Sequence, residues 1–244
     1  RGRPTCRNPD RPAAGWAALA VAALTTFFWI ELRATKPLVD IKMFSRPMLA
    51  GALGALVLSH MVYHPIALSA PLYLQNVLGA SAMTSGLLLA VLPLSTAMAS
   101  PLGGRLADRA EAAIVAVIGL AVIVAGIAAY SRLGVDSRII VVTAVLALLG
   151  AGIGLFTPAN QKVAFAAVKQ EDYGVLGAML SSFGTAAGTI GTTITVALME
   201  IDGGRELWAK AGVLAQAQQF AFMWLALAGV IGVALSLKSA RRVK

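Results

Sequence analysis

The chain has 244 residues, of which 58% are hydrophobic and 13% charged, and its mean hydropathy is +0.79. Soluble domains average ~45–50% apolar and ~25% charged residues, so these proportions exclude a water-soluble enzyme and a disordered chain, while the single cysteine, Cys6, excludes an internal disulfide framework. The net charge of +9 reads as basic residues gathered in cytoplasmic loops of a membrane protein, not as a nucleic-acid-binding surface.

Residues 1–12 have no apolar core and do not read as a signal peptide. With Arg1 first and no methionine before Met43, they are read as a non-native or external segment, and the chain as a piece of a longer protein. A membrane-crossing helix needs ~20 mostly apolar residues, and a charge at mid-bilayer costs at least ~2.5 kcal/mol. Stretches free of Asp, Glu, Lys and Arg run 12–30, 47–104, 112–131, 139–161, 173–199 and 211–237. The second is long enough for two spans and is divided by the turn-like Asn76-Val77-Leu78-Gly79. The reading is all-α and polytopic, with seven helices near 13–33, 48–75, 82–103, 112–131, 138–158, 174–199 and 219–238. None alternates strictly, which argues against a β-barrel.

Loop charge sets the orientation. With the C-terminal Lys238, Arg241, Arg242 and Lys244 in the cytoplasm, the loops holding Arg33, Lys36, Lys42 and Arg46, then Arg105 and Arg109, then Lys162 and Lys169 share that side. The opposite loops carry only Arg132, Arg138, Arg205 and Lys210. The first four arginines fall on the outer side, against the rule, which again sets residues 1–12 apart.

The helices are of two kinds. Those at 112–131 and 219–238 are plain and can face lipid, whereas 48–75, 82–103, 138–158 and 174–199 carry prolines, glycines and polar groups. Proline and glycine inside a span free backbone groups that protein or water must satisfy, so these four face one another or a wet cavity. The order polar, polar, plain, twice over, is a 3+3 repeat of the kind from which transporter halves are built. Pro65, Pro71, Pro93 and Pro158 are the expected kinks. Gly177, Gly184, Gly188 and Gly191 are the expected close-packing positions, Gly184 and Gly188 forming a GxxxG.

Gly104-Arg105-Leu106-Ala107-Asp108-Arg109 reads as a tight GxxxDR turn, with Asp108 placed to favour the positive end of the 112–131 helix and Arg109 to pair with a nearby carboxylate. This loop resembles the signature loop of the major facilitator superfamily, found after the second helix of each half. It continues as Ala110-Glu111-Ala112-Ala113, where the family's loop usually has Gly and basic residues; degeneration of this kind is usual in the second half of its members. Glu31-Leu32-Arg33 with Pro37-Leu38-Val39-Asp40 and Phe44, the run Pro71 to Gly79, Gly150-x-Gly152-x-Gly154 with Pro158, and Phe183-Gly184 through Gly191 are similar to segments of the fourteen-span drug:proton antiporters, in the same order.

With residues 1–12 set apart as a non-native or external segment, the resemblance implies a linker helix and cytoplasmic connector 13–47, a C-terminal six-helix transporter domain 48–240 and a cytoplasmic tail 241–244. It implies no enzyme activity and no cofactor. It also implies multidrug or small-molecule efflux by alternating access in the plasma membrane, together with a missing N-terminal half, protons, a small hydrophobic substrate and surrounding lipid, and no nucleic acid. In the family the cavity is lined by the first, second, fourth and fifth helices of each half, which correspond here to the four polar helices. A non-transporting remnant or assembly module is the rival reading.

His60 and His64, four apart on one helical face, are the only deep titratable pair. They suit a proton relay, or hydrogen bonds between helices beside the Pro65 kink; no third residue completes a metal site. Tyr63, Tyr73, Gln75, Met179, Phe183 and the hydroxyls of Ser181, Ser182, Thr185 and Thr189 are the remaining substrate-path candidates, and the hydroxyls are equally suited to bonding their own backbone. Trp208 is expected to anchor a short interfacial helix.

Overall fold

The computed structural model describes residues 25–26, 46–204, 207 and 210–241. The chain divides into two units, Arg1–Lys42 and Met43–Lys244, and the architecture below is that of the second. The expected linker span 13–33 lies outside the described residues apart from Thr25 and Thr26, as do the segment 1–12, Trp208 and the last three residues.

Helix α1, Pro47–Tyr63, begins with proline in its first turn, where the missing N–H costs nothing. It breaks at His64-Pro65, since Pro65 cannot donate to the Met61 carbonyl. Helix α2, Ile66–Leu72, contains Pro71 and passes into a π-helical turn, Tyr73–Val77, which ends at Gly79 with φ +65°. Together these form one kinked span, Pro47–Val77. Ser81 starts α3, Ala82–Leu89, by accepting from the Thr84 N–H at 3.1 Å. Ala90 separates α3 from α4, Val91–Arg109, because Pro93 withholds an N–H from Leu89. Then follow α5, Ala112–Tyr130, α6, Ile139–Ala166, a single 3-10 turn, Gln170–Asp172, α7, Tyr173–Gly203, and α8, Ala211–Arg241.

Among the described residues, six helical segments are long and apolar enough to cross a bilayer. Their ends run past the charge gaps. The expected GxxxDR turn at 104–109 is helical and forms the last turns of α4, leaving only Ala110-Glu111 as the connection. α6 continues through Pro158 to Ala166. A charge ends the apolar stretch without ending the helix, because a lysine or carboxylate near the membrane surface can pair or reach water.

The helices meet where side chains are smallest. α4 and α5 both pack extensively on α6, α1 on α7, and α8 on α5, α7 and α1. On α6, Gly150 and Gly154 face α4: a Cβ at Gly150 would lie 2.3 Å from the Leu92 carbonyl oxygen, and one at Gly154 2.6 Å from that of Thr96. Gly152 points the other way, where a Cβ would meet Ile123 N of α5 at 2.8 Å. The GxGxG run thus serves two neighbours at once. Gly184, Gly188 and Gly191 form the α7 face on α1, as expected. Gly177 does not: a Cβ there would meet nothing within 4 Å.

The plain helix α5 is not lipid-facing all round. Val115, Leu120, Ile123 and Ile127 are buried, and only one side, with Ile114 and Ile118, is exposed. Uniform apolarity removes the need for water on any face, while Gly119 and Gly126 let α6 approach closely. The least covered span is Ala82–Arg109, with 11% of its most apolar stretch buried against 50% for Ala112–Tyr130.

One end of the unit is pinned by polar bonds. Tyr73 donates through its hydroxyl to the Gly134 carbonyl at 2.7 Å, Gln219 to the Leu133 carbonyl at 2.9 Å, and Gln218 to the Ser69 carbonyl at 3.0 Å. The Tyr130 ring sits between those of Tyr73 and Phe222, with centroids 6.2 and 4.7 Å away. Tyr73 is therefore a core residue, Gln75 in the following π turn is exposed, and neither lines the grooves described next.

Candidate functional site

The two histidines flank the break in the first span. His60 lies on the last turn of α1, with Nδ1 3.0 Å from its own Leu56 carbonyl, and His64 sits in the turn beyond it. Their rings fill the space left by absent side chains on α7. A Cβ at Gly184 would come within 2.9 Å of His60 Nε2, and one at Gly188 within 2.6 Å of His64 Cγ. The GxxxG motif is thus a seat for two imidazoles as well as a backbone contact. The hydrogen bonds between helices weighed for these histidines do not form among the described residues; His60 bonds within α1, and His64 Nδ1 is buried without a hydrogen-bond partner.

Two open grooves meet at His64. The first, about 460 Å³, runs between α1, α6 and α7; it is floored by His60, Tyr63 and His64 and walled by Gln161, Ser181 and Thr185. The Tyr63 ring stands between the imidazoles, with centroids 5.1 Å from His60 and 6.5 Å from His64. The second, about 520 Å³, follows α7 outward from His64 past Thr189, Thr192 and Thr193 to Glu200.

The remaining substrate-path candidates divide. Ser181 and Thr185 line the first groove and Thr189 the second. Met179 is buried, and Ser182 and Phe183 are exposed without lining either groove, because successive residues of a helix point 100° apart. Gly177 borders the first groove, which is why nothing stands close to it. Thr185, Thr189, Thr192 and Thr193 each donate to the carbonyl four residues back, at 2.9–3.0 Å. Their protons are thereby spent on their own helix, and the grooves receive hydroxyl lone pairs.

The sequence reading missed Gln161, Phe165 and Glu200. Thr157, Gln161 and Phe165 stand four apart on α6 and all line the first groove. That spacing carries the signal, but it lies mostly beyond the expected helix 138–158, and α6 continues to Ala166. Glu200 follows the charge-free stretch 173–199 and stands one turn before α7 itself ends.

At the same end of α6, Lys162 Nζ donates to Asp108 Oδ1 and to the Ala107 carbonyl, both at 2.8 Å. Asp108 therefore pairs with α6 and not with the start of α5. It stands in the last turn of α4, where the helix dipole disfavours a carboxylate, and the ammonium offsets that. Arg109 is exposed and forms no ion pair among the described residues, and a Cβ at Gly104 would meet nothing within 4 Å. Asn160, two residues before Lys162, is buried and donates to the Ala52 carbonyl of α1 at 3.1 Å. Asn160, Gln161 and Lys162 thus address α1, the first groove and α4 in turn. No group of three or more potential metal ligands occurs among the described residues.

Comparison with known proteins agrees with this architecture. The family model described as Major Facilitator Superfamily matches residues 9–192 and again 52–240. An uncharacterized transporter of Escherichia coli, YebQ, is 30% identical over 168 residues, 68% of this chain and 37% of the relative. The lincomycin resistance protein LmrB of Listeria monocytogenes is 27% identical over 193 residues, 76% of this chain and 41% of the relative. The multidrug transporter protein MdtP of Bacillus subtilis is 26% identical over 213 residues, 85% of this chain and 39% of the relative. The matched chain spans about two fifths of the length of each of these relatives.

Proposed function

This chain belongs to the major facilitator superfamily, and on that premise we propose that it is the C-terminal half of a proton-coupled carrier that exports small hydrophobic, drug-like molecules by alternating access. The observation that carries the reading is the first groove: histidine, tyrosine, glutamine and hydroxyl groups from three spans converge on an open face of an otherwise apolar bundle. Such a surface gives a polyspecific site a few polar anchors among apolar walls. The printed names of LmrB and MdtP point to antibiotic and drug export for those proteins, and that substrate class is our proposal here.

The missing N-terminal half is the proposed cover for the bare face of Ala82–Arg109 and for Gln170–Gly203, the two spans with the smallest buried share. Rocking of the two halves about the groove would alternate access. In this reading the carrier sits in the plasma membrane, with the Asp108–Lys162 end and the C-terminus in the cytoplasm, and the segment 104–109 serves as its conformational switch. His60 and His64 carry the proton coupling, because intramembrane ionisable groups mark such sites.

The test is dye accumulation in a drug-sensitive bacterial host. The chain alone leaves accumulation unchanged. Co-expressed with the N-terminal half of a relative such as MdtP, it lowers accumulation, and a protonophore abolishes the effect. Efflux by the chain alone overturns its role as a half. No efflux from the pair favours a non-transporting module. In the active pair, His60→Ala and His64→Ala shift the pH profile of drug-driven proton flux; an unchanged profile removes the histidines from coupling.

A further inference from the structure

The two grooves that meet at His64 differ in chemistry, and the difference assigns them separate work. The first has aromatic and amide walls and no Asp, Glu, Lys or Arg in its lining. The second is a row of hydroxyls that opens beside Glu200, the one charged residue lining either groove. Its threonines stand at 189, 192 and 193 on one face of α7, and their protons are bonded to their own helix, so they accept hydrogen bonds from whatever fills the groove. At ~30 Å³ per water molecule, a groove of about 520 Å³ holds on the order of ten waters. At its other end stands the His64 ring, packed on Gly188 with its buried Nδ1 free of any hydrogen-bond partner.

We infer that the α7 groove from Glu200 to His64 is a water-filled proton path, separate from the groove that receives the transported molecule, and that His64 is the junction of the two. The His64 ring itself lines this hydroxyl-edged groove, and a continuous file of water conducts protons. A proton entering at the Glu200 rim passes along these waters to the His64 imidazole, the last water breaking an O–H bond as the ring gains an N–H bond. The titratable groups beside His64 are His60 and Tyr63 on α1, and Glu200 lines the far end of the second groove, twelve residues along α7 from the Gly188 that seats His64; from α6 the adjoining groove presents Thr157, Gln161 and Phe165, none charged. Lys162 is held by Asp108 instead, so His60, in the first groove, is the one basic side chain besides His64 that lines either groove. The arrangement lets His64 exchange protons while the first groove is occupied, as exchange of a proton for a solute requires. This inference rests on the transporter reading for its purpose, but its test does not.

The test uses the full chain in lipid nanodiscs, with Cys6→Ser to remove the native thiol. One variant carries Ala197→Cys in the second groove, another Gln161→Cys in the first. Each cysteine is capped with a bulky maleimide, and modification of each histidine by diethyl pyrocarbonate is then followed by peptide mass spectrometry. A plug at position 197 is expected to slow His64 modification at least five-fold and leave His60 within two-fold of its uncapped rate. A plug at 161 is expected to slow His60 and leave His64 with more than half its rate. If the plug at 197 leaves His64 unaffected, or slows both histidines alike, the proton path is wrong. Glu200→Cys at the exposed rim repeats the measurement without altering the packed part of α7. No transport is measured, so a failed efflux assay and a failed path are distinct results.

Discussion

Gly191 of α7 faces the carbonyl of Met61 on α1, and a Cβ at Gly191 would lie 2.3 Å from that oxygen. The oxygen is the one that Pro65 deprives of its helical donor, four residues on. The same pairing recurs in the other half of the bundle: Pro158 deprives the Gly154 carbonyl, and a Cβ at Gly103 of α4 would lie 2.6 Å from it. In each case a proline kink in the first helix of a three-helix unit meets a glycine on the second helix of the other unit. The apposition gives an unpaired carbonyl a close backbone neighbour, of the kind that favours Cα–H···O contacts, and it lets a proline remain inside a membrane span.

Gly191→Ala is therefore expected to destabilise the chain by ~1–3 kcal/mol, the usual cost of overpacking against atoms that cannot move aside. Gly177→Ala, in open space, should be neutral or stabilising by ~0.5–1 kcal/mol through helix propensity. Thermal unfolding in one detergent, followed by circular dichroism, compares the two. Equal midpoints would remove the special role of Gly191.

Gly188→Ala strikes a side chain instead of backbone, since its nearest neighbour is the His64 ring. The ring can swing away, so the expected stability loss is smaller, ~0.5–1.5 kcal/mol, the cost of an off-rotamer side chain. Removing the ring should relieve it. In a double-mutant cycle, Gly188→Ala in a His64→Ala background is expected to cost little, giving a coupling of at least ~0.5 kcal/mol. Additive losses would show that the ring does not occupy this seat.

The Asp108–Lys162 pair is exposed on both sides, so its ionic part is worth only ~0.2–1 kcal/mol. Lys162→Met also removes the donor to the Ala107 carbonyl at the end of α4. It should cost slightly more than Asp108→Asn and speed amide exchange over 105–110. High salt should weaken the wild-type contribution. Identical exchange in all three proteins would mean that the pair does not hold the end of α4.

Tyr73→Phe deletes the hydroxyl that reaches Gly134, with an expected loss of ~1 kcal/mol. Amide exchange should quicken in the Leu133–Ser137 turn and leave α7 unchanged. Protection of that turn as in wild type would assign it to Gln219 and Ser137 alone.

How much of this was readable beforehand depended on the kind of information each feature needs. Transfer free energy acts on a segment through its composition, so the scarcity of charge locates six described spans, and kinkers separate four polar helices from two plain ones. The seating of His60 and His64 was half legible: four-residue spacing put them on one face, and the glycines at 184 and 188 marked a surface of close approach. That the rings fill those gaps is a relation between α1 and α7, and neither helix encodes it alone. The rotation and axial offset of one helix against another, set by which small residues meet, placed Gln161 in the groove, left Met179 and Phe183 out of it, turned Tyr73 into the core and drew Asp108 to Lys162. Composition and period thus determined which segments cross the bilayer; only tertiary packing, which is short-ranged and steric, decided which polar groups face one another once they do.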